Sequence, residues 1–254
     1  MKKHIYKISL LVLTIFAFVG CNVDNDDPVV NDIIRNIEAS MAMQGDIIAI
    51  DDNASSYDLV INFSDALPSY GTIEYTVDGV AGSVSANTGD TSVSIPLDYG
   101  MGVNFHDVAL VGFYVVNADA RNVRPSIGGT ISTRVVKQGY LKVEITWADA
   151  SDDIDFGLQP MTAVWGDTFA WIDTSLGVTN LEVLEGDMLA DGNYAILAQF
   201  FTPATDVMVN YSLQTAGGDF SFDVLTAEDG NVLWFTKSSS GTTVSYTFYT
   251  EDPA

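Results

Sequence analysis

Basic residues are scarce in this 254-residue chain: ten Lys and Arg stand against 34 Asp and Glu, for a formal net charge of −24. A nucleic-acid-binding face must neutralise phosphates, so this balance argues against DNA or RNA as partners. Cysteine is scarcer still. The single one, Cys21, excludes an internal disulfide and any thiolate zinc or iron–sulfur site. Histidine is limited to His4 and His106. No Gly-x-Ser-x-Gly elbow and no His-Glu-x-x-His helix occurs. Acids are so plentiful that nothing selects the carboxylate pair a glycosidase needs, and the expectation is a chain that is not an enzyme. Beyond the N-terminal segment no apolar run approaches the ~20 residues of a membrane span; the longest is Val108 to Val116, broken only by Gly112. What is abundant excludes disorder: 47% of residues are hydrophobic and 11% aromatic, enough to build a core.

The first twenty residues differ from the rest. Lys2, Lys3 and Lys7 form a positive start, Ile8 to Gly20 is apolar, and the run ends in Phe18-Val19-Gly20-Cys21. This resembles the lipobox of bacterial lipoproteins, with Phe18 where leucine is usual. The resemblance implies that residues 1–20 are a signal peptide cut before Cys21. Cys21 would carry two fatty acyl chains (palmitate-like) on sulfur and a third on its new amine. At roughly 0.8 kcal/mol per buried CH₂, several chains anchor a protein firmly. The expected membrane contact is that lipid alone, because so acidic a polypeptide is repelled by anionic head groups. Asn22-Val23-Asp24-Asn25-Asp26-Asp27-Pro28 reads as a solvated tether. It also resembles the acidic signal that routes some Gram-negative lipoproteins to the cell surface, although the usual forms place the acids nearer the cysteine. The expected address is the outer membrane, with the cell surface preferred over the periplasmic face.

Downstream, period-two alternation dominates, the signature of half-buried strands. It runs through Ile73-Tyr75-Val77, Val93-Ile95-Leu97, Leu141-Val143-Ile145-Trp147, Tyr194-Ile196-Ala198-Phe200, Val207-Val209-Tyr211-Leu213, Phe220-Phe222-Val224 and Val244-Tyr246-Phe248. Asp78-Gly79, Asp191-Gly192-Asn193 and Asp229-Gly230-Asn231 supply turn chemistry. Ile33, Ile34, Ile37 and Met41 also fit helical spacing, so residues 32–44 are open to a short helix or an extended lead-in strand. A seam is expected near Val136-Lys137-Gln138-Gly139. The fold class expected is all-β, with two tandem antiparallel β-sandwiches, immunoglobulin-like or jelly-roll-like. The divisions are 1–20 signal peptide, 21–44 tether and lead-in, 45–137 first sandwich and 138–254 second sandwich.

In the second half, Leu141 to Trp147 is followed by Asp152-Asp153-Ile154-Asp155-Phe156-Gly157-Leu158, then Asp191-Gly192-Asn193-Tyr194, then Val209-Asn210-Tyr211-Ser212-Leu213. This order resembles β-sandwich modules related to the bacterial pre-peptidase C-terminal domain and DUF2135, with Phe156 for the usual leucine and Gly157 where relatives often carry a larger residue. By strand parity, Ile154, Phe156 and Leu158 point into a core while Asp153 and Asp155 point out. With Asp149 and Asp152 they place four carboxylates within seven positions, whose repulsion water, salt or a cation must relieve. Asp149, Asp152, Asp153 and Asp155 are therefore a candidate Ca²⁺ site, against the alternative of a solvated acidic turn. Trp165 and Trp171 flank Gly166 to Ala170 and are candidate sugar-stacking residues, against core packing. Trp147 and Trp234 are expected in the core.

The first half reads as immunoglobulin-like and faintly resembles Calx-β modules in Asp58 to Ser64 and Gly71 to Val77. Asp51-Asp52-Asn53 is expected to be a turn rather than a metal site. His106 beside Asp107 is expected to be structural rather than half of a catalytic pair. The functional expectation is a lipid-anchored envelope protein that binds or displays something, calcium-stabilised if the Asp site is real, with a polysaccharide or an envelope protein as partner. The alternatives are a carbohydrate-binding accessory lipoprotein using Trp165 and Trp171, and, behind it, a hydrolase with an unrecognised acidic site.

Overall fold

The computed structural model describes residues 34–42, 46–161, 171–201 and 206–253. The signal-like segment, Cys21 and Trp165 lie outside the described residues. Within them are eighteen strands and no α-helix.

The first half forms two facing sheets. One is ordered β6(Ser92–Asp98)-β3(Ser56–Phe63)-β1(Arg35–Met41)-β8(Val123–Ile127). The other is β2(Ile47–Ile50)-β9(Ser132–Lys137)-β7(Phe105–Val115)-β4(Gly71–Val77)-β5(Val80–Ala86). The second half repeats the plan with β13(Leu181–Gly186)-β10(Leu141–Trp147)-β15(Val207–Thr215)-β16(Gly218–Thr226) against β12(Asp173–Ser175)-β11(Ile154–Met161)-β14(Gly192–Phe200)-β17(Gly230–Ser240)-β18(Thr243–Tyr249). The all-β sandwich expectation stands.

Two details refine it. The segment open to helix or strand is the strand β1, where Ile37, Ala39 and Met41 turn inward on alternate residues and Ile34 is left exposed. A helix this short is marginal in water, whereas β1 gains ladder partners on both sides. The first sandwich is also not wholly antiparallel, while every described strand pair of the second is antiparallel. The lead-in chain passes from one sheet to the other, so β1 runs parallel to β8 and β2 parallel to β9.

Inward residues fill each sandwich. Ile37, Leu59, Ile61, Ile73, Ile95 and Val135 centre the first core; Val143, Ile145, Phe156, Leu158, Tyr211 and Phe235 centre the second. The second core extends across the seam, taking in Ala49 and Val136, with Ile47 and Phe105 packed against it. Polar bonds close the joint. Arg134 donates from Nε to Asp107 at 2.9 Å and from Nη1 to Asp219 at 2.7 Å. The Gly139 N–H donates to Asp52 at 2.6 Å, and Asn104 Nδ2 to Asp187 at 2.6 Å.

Register places four connections at the end of the second sandwich away from the seam. β10 leaves the seam at Leu141 and finishes at Trp147, where β13 begins (Thr146 opposite Leu181) and β15 begins (Trp147 opposite Val209). β14 ends there as well, with Phe200 opposite Ile154. The connections 148–153, 176–180 and 227–229, and the described ends of the β14–β15 connection, therefore share that far end.

Candidate functional site

The acidic turn is built by its own hydrogen bonds. Asp149 accepts from the Ser151 N–H at 2.9 Å and from Ser151 Oγ at 2.8 Å. These bonds, the backbone one first, hold its carboxyl below the usual range. The Asp152 carbonyl accepts from Trp147 Nε1 at 3.1 Å, which anchors the turn to a buried indole. The Asp153 carbonyl accepts from the Phe201 N–H at 2.9 Å. Ile154, Phe156 and Leu158 point into the core as strand parity requires, and Asp155 points out. Partial burial, then the charges of Asp153 and Glu182, raise the Asp155 carboxyl above its ordinary value. Among the described residues no three His, Cys, Asp or Glu side chains converge as a metal would require. Asp149, Asp152, Asp153 and Asp155 thus share one turn and strand start without sharing a point.

Glu182 is the acid that the sequence pattern hides. It lies on the inward face of β13 with Leu184 and is only 2% exposed. Its Oε2 accepts from the Ser175 hydroxyl, which itself accepts from the Val183 N–H at 3.2 Å. Its Oε1 is buried without a hydrogen-bond partner. A Cβ on Gly177 would fall 2.4 Å from that oxygen, so the carboxylate sits directly beneath the backbone of the 176–180 loop. Asn180 ties this loop to the acidic turn by donating from Nδ2 to the Trp147 carbonyl at 2.9 Å.

Trp171 lies on the outer face of β11. Its indole occupies the space a side chain at Gly157 would need, with ring carbon Cζ3 only 1.8 Å from an ideal Cβ there. Gly157 is thus the seat of the tryptophan, which stays 44% exposed. Trp234 departs from expectation. It is buried, but on the same outer face, in a small cluster with Met161 and Ala195 rather than in the sandwich core. Trp147 is in the core as expected.

Apolar side chains also project from the far end: Leu176 is 69% exposed, Val178 80% and Phe201 58%. From Val143 to Thr236 the chain contains sixteen Asp and Glu and no Lys, Arg or His. That blank is a sequence signal in plain view, and it runs through the second sandwich from β10 to β17, the far end included.

In the first sandwich, Asp51 makes the expected turn by accepting from the Asn53 N–H at 2.7 Å. His106 is held by Asp78 rather than Asp107, with Nδ1 at 2.6 Å from Asp78 Oδ2 and Nε2 at 2.9 Å from the Asp98 carbonyl. Both ring nitrogens are occupied within the fold.

No family model matches the chain, and no curated protein does. Among solved structures it is similar to CBD12 from CALX1.2, at 8% identity and a TM-score of 0.29, covering 66% of this chain and 83% of that one.

Proposed function

We propose that this chain is a non-catalytic binding or display protein of the cell envelope, held to a membrane through lipid on Cys21, with the far end of its second sandwich as the working face. The observation that carries the reading is the exposed apolar set Leu176, Val178 and Phe201, on connections fixed by two packed sheets at the end away from the seam. A soluble surface has no structural need for such a set among carboxylates, and exposed apolar groupings of this kind mark interaction sites. Mass spectrometry of the protein from a membrane fraction tests the anchor. A chain beginning at Cys21 with added acyl mass, and release into the soluble fraction on Cys21→Ser, are expected; an intact initiator methionine without lipid mass would discard the address.

The seating of Trp171 favours carbohydrate as a second reading, since a half-exposed indole seated over Gly157 on a sheet offers apolar ring surface to a sugar. Quenching of tryptophan fluorescence by a polysaccharide panel, lost on Trp171→Ala with Trp165→Ala, is the expected result. A flat response across the panel would set it aside. Calcium enters only if Asp149, Asp152, Asp153 and Asp155 converge on binding. A gain in melting temperature at about millimolar calcium, the affinity range of extracellular modules, that Asp153→Ala with Asp155→Ala abolishes would establish that site. An unchanged melt would remove it.

A further inference from the structure

We infer, resting on that reading of the far end, that its partner is a polypeptide segment in which Lys or Arg alternates with apolar side chains. Charge complementarity is the first argument. The stretch from Val143 to Thr236 carries no basic residue. The nearest lysines in sequence, Lys142 and Lys237, lie at the seam end and are engaged with Glu144 at 2.7 Å and Asp191 at 3.1 Å.

Glu182 is the second argument and is independent of the acidic turn. A buried carboxylate with an unpartnered oxygen costs free energy, and a cation docked over the loop lowers that cost through its field in the low-dielectric surroundings. Here that oxygen lies directly beneath the Gly177 backbone, so a cation acts on it across the loop rather than in contact. The residues on either side of Gly177 are the exposed Leu176 and Val178. A purely apolar partner would cover these tips and leave the carboxylates desolvated. A purely basic one would leave the tips in water. Anionic lipid head groups are repelled, and a neutral glycan brings no cation. Only a chain carrying both kinds of side chain answers both features.

Fluorescence anisotropy at physiological ionic strength tests this. The probe is a labelled short peptide of alternating Lys and Leu, compared with oligolysine of equal charge and with the same peptide acetylated on every lysine. Expected is binding of the Lys/Leu peptide about tenfold or more tighter than of either comparison peptide. Leu176→Ser with Val178→Ser, both exposed and so compatible with folding, should weaken it by about tenfold. Glu182→Gln with Asp155→Asn, checked for an intact fold by circular dichroism, should do the same. Asp58→Asn with Asp119→Asn removes equal charge from the first sandwich and should leave binding within about twofold. Equal weakening by that control pair, parity of oligolysine with the Lys/Leu peptide, or no binding at all would overturn the inference. If Trp171-dependent quenching by a polysaccharide survives such an outcome, the binding role stands and only the basic partner is lost.

Discussion

Gly157 shows how one missing side chain positions another. A methyl group there would collide with the Trp171 ring, and the half-exposed indole would be pushed into water rather than the strand displaced. Gly157→Ala should therefore red-shift the emission of Trp171, read against a Trp171→Phe background, and cost about 1–3 kcal/mol as an overpacked site does. Asp155 carries a prediction of opposite sign. Burial, Asp153 and Glu182 all disfavour its charged form. The folded state thus holds its proton more tightly than the unfolded chain, and its ionised form is a destabilising feature at neutral pH. The penalty disappears as pH falls through the folded value. Asp155→Asn should raise the melting temperature at pH 7 and shrink that gain in mild acid; a lower melting temperature would contradict the geometry. At this scale parity was legible, because Ile154, Phe156 and Leu158 alternate with carboxylates. Glu182 was not. Its parity with Leu184 placed it inward, but its partners Ser175 and Gly177 come from another strand and a loop, which no local pattern pairs with it.

The turn before β14 is an element-scale device. Asp191, read from sequence as turn chemistry, also ties β14 to β17. It accepts from Ser239 Oγ and, at 2.9 Å, from the Ser239 N–H, and it pairs with the buried Lys237. The Ser239 hydroxyl leads in holding its carboxyl below the ordinary range, against a smaller opposing effect of burial. This stabilisation is present above the usual carboxylate range and is lost as pH falls through the folded value. Asp191→Ala should cost about 1–2 kcal/mol, modest because the carboxylate is half exposed, and should flatten the acid limb of a stability–pH curve. The Asp78-Gly79 turn was equally legible. With φ of 52° and 78° the two residues close β4 onto β5 in the left-handed region such a two-residue hairpin requires. β1 was ambiguous for a physical reason: seven residues carry too little pattern to separate periods of 2 and 3.6, and only its neighbours β3 and β8 decide.

Across the whole molecule the joint between sandwiches governs behaviour. The sequence pattern suggests a seam near Val136 to Gly139 but carries no sign of the contacts around it, which link residues as far apart as Asn104 and Asp187. Arg134 is the centre of the joint, bonded to a carboxylate on each side and stacked 5.9 Å over Phe105. Arg134→Ala leaves Asp107 and Asp219 without their shared cation. Small-angle scattering should then show a larger radius of gyration, and calorimetry two separable transitions; one unchanged transition would mean that the shared core around Ala49 and Val136 suffices. The position of β1 adds a mechanical consequence. The chain enters β1 at Arg35, at the end of the first sandwich away from the seam. If the chain is held through lipid on Cys21 as proposed, a partner gripping the far loops stretches the molecule along the axis of β1. Because β1 is laddered to β3 on one flank and β8 on the other, those bonds bear the load together in shear rather than peeling one by one, the arrangement that resists extraction under tension.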